Sequence, residues 1–195
     1  MKTGWAQSPL HGITTAPAVS WCVARRDVLS KAFPEIRLVI SAGHFKVRSN
    51  DSDFNFRPHS AFAYYTGVAG VEASADAVLV MEPSEAGHQP ILFINPRSTR
   101  DTDAFYRDAR YGELWVGRRF TTEEAQVRYE IETQHLDLLT DLFKIKMETL
   151  CIRGEDRFLD EKIKTHERES EFLSLISGPR MLKDDYVINE LHADC

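Results

Sequence analysis

Apolar positions along the chain fall into two periods. In residues 18–33 (AVSWCVARRDVLSKAF), Val19, Val23, Val28, Leu29 and Phe33 recur mostly three to five residues apart, which gathers them on one side of a helix. Pro34 stops that helix, since a residue before proline is pushed out of helical geometry. Residues 37–42 (RLVISA) form a short run rich in β-branched side chains, closed by Gly43, and predict a buried strand. Similar runs at 61–66 (AFAYYT), 75–81 (ADAVLVM), 90–95 (PILFIN) and 113–117 (ELWVG), each bounded by Gly, Pro or Asn, predict four more strands. Between them residues 46–60 (KVRSNDSDFNFRPHS) are dense in turn formers and charges, with Phe54 and Phe56 as anchors, and read as a loop.

The helical period returns further on. Thr122, in a Thr-Thr-Glu-Glu run, opens a short helix with a capping pattern. A longer helix is predicted over 135–147, with Leu136, Leu139, Leu142, Phe143 and Met147 on one face. A strand over 149–153 and a charged helical region over 156–176 complete the series. A β-rich centre flanked by helices is an α/β layer architecture with a mixed sheet, and 195 residues are enough for one core.

Composition narrows the function classes. With 43% hydrophobic and 28% charged residues the chain is neither disordered nor collagenous. No apolar run approaches the ~18 to 20 residues of a membrane span. Pro9, His11 and Pro17 interrupt the stretch after Lys2, so no secretory signal is read and a cytoplasmic location is expected. Cys22, Cys151 and Cys195 are widely spaced and odd in number, as free thiols are. Asn50-Asp51-Ser52 formally matches a glycosylation acceptor and is read as a polar turn. The net charge is -6, with 14 Lys+Arg against 12 Asp+Glu in residues 1–120 and 10 against 18 in 121–195. Such a balance repels phosphate backbones, so no nucleic-acid partner is expected.

Tests for catalytic motifs fail. His166-Glu167-Arg168-Glu169 lacks the second histidine of HExxH, because position 170 is Ser. Asp51, Asp53 and Asn55 open like a calcium loop, but Phe56 and Phe62 occupy positions that need Gly and Glu. There is no P-loop, GxGxxG or GxSxG. The histidines (His11, His44, His59, His88, His135, His166, His192) are scattered, and none is assigned to a metal. Arg97, Arg100, Arg107, Arg110, Arg118 and Arg119 lie among Phe105, Tyr106, Tyr111 and Trp115. Two readings stay open: surface ion pairs beside packed rings, or an arginine-aromatic interface.

Longer stretches carry a resemblance. The segments FPEIRLVISAGHFKVRSNDSDFNFRPHSAFAYYTGVAGVEASADAVLVMEP and LFINPRSTRDTDAFYRDARYGELWVGRR resemble the N-terminal domain of Xaa-Pro aminopeptidase (aminopeptidase P) in the creatinase and prolidase superfamily. FRPHSAFAYYTG (56–67) is similar to the family's arginine-to-YLTG motif and GELWVGRR (112–119) to its tryptophan-containing GRR motif. SGPRMLKDDYVINEL (177–191) is similar to the linker into the catalytic domain. Coverage runs from about 25 to 191, and the text is closer to aminopeptidase P than to prolidase or creatinase.

The resemblance implies a creatinase-type N-terminal fold of ribonuclease-H-like topology. It divides the chain into a leader (1–17), the domain (18–178) and a linker with the start of an absent catalytic domain (179–195). The parent activity implied is removal of an N-terminal residue that precedes proline, by a domain holding two divalent ions, usually manganese, through ligands beyond Cys195. This chain alone is expected to be inactive. It would support a homodimer or homotetramer and restrict access of proline-containing peptides, partnering its own C-terminal catalytic domain. By position in the motifs, Arg57, Tyr64, Tyr65, Trp115, Arg118 and Arg119 are the gating or interface residues implied. Val187, Ile188 and Leu191 would pack against the catalytic domain. The alternative is a stand-alone binding or regulatory module that has lost that domain.

Overall fold

The computed structural model describes residues 10–193. Its strands are β1 (Arg37–Ser41), β2 (Val47–Ser49), β3 (Ser52–Asp53), β4 (Val78–Ser84), β5 (Gly87–Ile94), β6 (Glu132–His135) and β7 (Thr149–Cys151). Five of them form one sheet in the order β6-β5-β4-β1-β7. β4 pairs antiparallel with both β1 and β5, while β6 and β7 add parallel edges, so the sheet is mixed. β2 and β3 make a separate hairpin, with Asn50 at φ 41 in its polar turn.

Register explains the two-sided core. Leu38 lies opposite Met81 and Ile40 opposite Leu79, with Leu79 opposite Leu92. Side chains alternate faces along a strand, so this row points one way and the row of Val39, Val80 and Val78 the other. The first face buries against α1 (Val19–Ala32), α2 (Ser60–Thr66) and, further along the chain, the helix Glu169–Met181, through Leu29, Phe33, Phe62, Tyr65, Phe172 and Ile176. The second is smaller, gathering Phe93 and Cys151 with Leu139, Leu159 and Ile163. β1 is buried at every position, as a strand covered on both sides must be.

The remaining helices are α3 (Asp103–Arg107), α4 (Glu113–Val116), α5 (Thr122–Tyr129), α6 (Leu139–Leu142), α7 (Arg157–Lys162), α8 (Glu169–Met181) and α9 (Asp185–Ala193). α5 has a capping box whose N-cap is Thr121, one residue before the expected Thr122, with Thr121 and Glu124 bonding each other's backbone. None of the described helices is long and apolar enough to cross a membrane.

Several expectations are corrected. Residues 61–66 are helical: His59 accepts the Ala61 N–H, and Ala61, Phe62, Tyr65 and Thr66 are the buried positions, a spacing of one helical face. Residues 113–117 are the helix α4 and its cap instead of a strand. In 135–147 only a short 3-10 turn and α6 are helical, and Met147 is exposed. The region 156–176 is two helices broken after Ile163, whose backbone is extended. β6 was not foreseen. In α1 the buried stripe is Val19, Cys22, Arg26 and Leu29, while Val23 and Val28 face solvent. Arg26 is tolerated there because it donates to the Tyr65 carbonyl at 2.7 Å.

Candidate interface site

The connection after β5 builds a platform from α3 and α4. Gly112 joins them. Its N–H donates to the Asp108 carbonyl at 2.8 Å, and its own carbonyl accepts from Trp115 and Val116 at 2.9 and 3.1 Å. A Cβ at 112 would lie 2.5 Å from the Asp108 oxygen and 2.8 Å from that of Phe105, so the backbones approach as only glycine permits. On this base Trp115 stands 61% exposed. Its indole N–H donates to the Tyr106 carbonyl at 2.8 Å, which orients an otherwise solvent-facing ring. Leu114 and Val116 beside it are exposed too.

The arginines divide by task. Arg97 and Glu113 form a 2.7 Å pair whose side chains are largely buried. Arg119 donates to the carbonyls of Asn95 (2.9 Å) and Tyr111, and lies over the Tyr111 ring; burial lowers its pKa from the usual guanidinium value. Arg118 pairs with Glu124 at 3.4 Å. Arg110 grips Asp53 through two bonds of 2.8 and 3.0 Å, tying β3 to the platform. These contacts brace the surface from behind: the guanidinia are struts beside packed rings, and the Leu114–Val116 row is exposed.

The other implied residues lie elsewhere. Arg57 is exposed and lines a groove of about 1040 Å³ together with Phe45, Phe54, Phe56, Arg110 and Val116. That groove brings Arg57 and α4 to one surface. Tyr65 is 2% exposed and packs edge-on against Tyr64; burial and then the Tyr64 neighbour push its phenol pKa up. Tyr64 lies beneath the Arg25 guanidinium, 3.9 Å from its ring centre. The two tyrosines therefore belong to the α1–α2 contact, apart from Trp115.

One cluster had no sequence signal. His44 bonds Asp76 through Nδ1, and its Nε2 lies 3.6 Å from Asp156. Burial opposes the charged ring, but the Asp76 hydrogen bond and the Asp156 charge outweigh it, and the His44 pKa is raised. Its members are far apart in the chain, so no local motif marks them. Neither described cysteine offers a nucleophile, and Cys195 lies outside the described residues: Cys22 and Cys151 are free and buried, and burial pushes the Cys151 thiol up to about 11. Among the described residues no group of three or more His, Cys, Asp or Glu could hold a metal ion.

Comparison with known proteins gives these features a context. The family profile for the aminopeptidase P N-terminal domain matches residues 22–150. Xaa-Pro aminopeptidase 1 of Streptomyces coelicolor is 37% identical over 98% of this chain, and Xaa-Pro aminopeptidase 2 of the same organism is 34% identical over 98%. The chain spans 39% and 40% of those two proteins. Among solved structures, the low-pH form of aminopeptidase P from E. coli aligns over 86% of this chain and 35% of its own length, with TM-score 0.60 at 22% identity. Proline aminopeptidase P II from Yersinia pestis aligns over 82% and 34%, with TM-score 0.58 at 23% identity. The shared fold and a profile that runs from α1 into β7 identify the chain as a member of the aminopeptidase P N-terminal domain family.

Proposed function

We propose that this chain is the non-catalytic N-terminal domain of a cytoplasmic, metal-dependent Xaa-Pro aminopeptidase, in which it supports a homodimer or homotetramer and restricts access to the active site. The observation that carries the reading is Trp115. A ring that is 61% exposed yet fixed by its indole N–H on the Tyr106 carbonyl has the make-up of an anchor for another surface. Held rigid, it loses little entropy on contact, and its flat face suits packing on a proline ring. Arg57, across the shared groove, supplies a charge at its edge. Arg118 and Arg119 act behind the face, and Tyr64 and Tyr65 act through the α1–α2 contact.

The parent would use two divalent ions, manganese in this reading, to activate water and polarise the scissile carbonyl. The side chains described here do not fit such a centre, as no donor cluster of the required size exists among them. The chemistry is therefore assigned to the part of the parent that this chain does not span, and no hydrolytic step is routed through its residues. Val187 and the exposed Ile188 and Leu191 are the apolar positions that part would cover.

Two measurements test the reading. The purified chain with manganese and an Xaa-Pro peptide is expected to release no amino acid, and metal-dependent turnover by it would overturn the assignment. Trp115→Ala in a full-length parent is expected to lower activity on short peptides while leaving Tm nearly unchanged, because so exposed a ring contributes little burial. Matched losses of activity and stability would return Trp115 to a packing role.

A further inference from the structure

We propose that Arg25, Tyr64 and Asp184 form a latch that fixes the direction in which α9 leaves the domain. α9 has nine residues and buries none of them. An isolated helix that short is marginal in water, so its shape and heading must be held from outside. Asp184, just before it, does this with one carboxylate. Oδ1 accepts the Val187 N–H at 3.0 Å, closing the helix N-terminus. Oδ2 accepts Arg25 Nε and Nη2 at 2.9 and 2.5 Å.

Arg25 is committed on its other sides. Its side chain is 9% exposed, its guanidinium lies 3.9 Å from the Tyr64 ring centre, and Nη1 donates to the Tyr64 carbonyl at 2.9 Å. Burial opposes the Asp184 charge, but the Val187 N–H and Arg25 outweigh it and hold the carboxyl below its ordinary range. Trp21 of α1 meets Tyr186 with ring centres 6.5 Å apart, a second contact between the same two helices. Three elements separated by up to 159 residues thus converge on one ion pair. With Tyr186 turned to α1, Ile188 and Leu191, three apart on the helix, remain exposed. The latch decides which way that apolar pair faces. Only the consequence, that a following domain takes its orientation from α9, rests on the function proposed above.

Hydrogen exchange on the 195-residue chain tests the latch directly. Asp184→Asn keeps an N-cap acceptor but removes the charge that holds Arg25. Arg25→Lys keeps the charge but loses the two-pronged grip and the ring stacking. In either variant the amides of residues 188–191 are expected to exchange roughly tenfold faster, equal to about 1.4 kcal/mol, with β1 and β4 amides unchanged. The double variant is expected to exchange no faster than the singles, since all break one contact. Unchanged exchange in α9, equal loss in helix and sheet, or additive effects would each overturn the proposal. The readout needs no catalysis, so a failed latch leaves the peptidase reading standing, and unexpected turnover would leave the latch standing.

Discussion

Gly112→Ala asks whether the Trp115 platform is held by backbone contact. The glycine has φ -71, a conformation alanine adopts freely, so the cost is steric alone. The added Cβ would meet the carbonyl oxygens of Ala104, Asp108 (2.5 Å) and Phe105 (2.8 Å), each at least 0.6 Å inside the 3.4 Å where ordinary contact begins. All three are main-chain atoms, so no rotamer change relieves them. Overpacking costs about 1–3 kcal/mol, and three fixed carbonyls put this case near the upper end. If the whole fold bore it, Tm would fall by roughly 6–12 °C at about 2–4 °C per kcal/mol. α3 and α4 have only five and four residues, however, and can open without the sheet. The expected result is a Tm loss of less than about 6 °C, with faster exchange and a shifted NMR resonance for the Trp115 indole N–H as its bond to Tyr106 is lost. Calorimetry and the indole resonance measure the two parts. An unchanged Tm with an unmoved indole signal would refute the close-approach reasoning.

Glu82→Ala should destabilise the fold by about 2–3 kcal/mol in guanidinium denaturation, because it strips a guanidinium that is 1% exposed of bonds at 2.6 and 2.5 Å; the 23% exposure of Glu82 lets water offset part of the cost of a broken buried pair. Arg37→Met with Glu82→Leu should recover most of that loss, and a single-variant effect under about 0.5 kcal/mol would show that the pair is idle. His44 has a raised folded pKa against an ordinary value of 6.5, so its contribution to stability is complete below pH 6.5 and is lost as pH rises through the folded value. His44→Gln should therefore flatten stability against pH above 6.5, and an unaltered slope there would sink the assignment.

Four sheet strands were legible because burial on both faces forces nearly continuous apolar text. RLVIS, VLVM and PILFI announce β1, β4 and β5, and TLC announces β7. β6 is ETQH, an edge strand with only Thr133 buried, so burial left no apolar mark on it. Residues 61–66 misled because Phe62, Tyr64 and Tyr65 favour strands in general. The deciding information was the pairing of buried positions 61 and 62 with 65 and 66 and the His59 cap. In α1 the valines at 23 and 28 looked like core, yet the helix turns Cys22 and Arg26 inward, and Arg26 is acceptable only because of a carbonyl 39 residues away.

The candidate site was legible as a pattern and not as a cause. In GELWVGRR each residue has a separate physical task. Gly112 admits three carbonyls and Glu113 holds Arg97. Gly117 sits at φ 81, where the chain turns away after α4. Arg118 reaches Glu124, and Arg119 binds the Asn95 and Tyr111 carbonyls. Those partners lie up to 24 residues off, so spacing within the motif could not reveal them. Once these tasks are assigned, only Leu114, Trp115 and Val116 remain free to meet another surface, all exposed, and of the three Trp115 alone is fixed by its own side-chain hydrogen bond. An activity proposed for this stretch would act through that row, so replacing Trp115 is expected to separate function from folding, whereas replacing Arg119, which holds two carbonyls, is expected to disturb both.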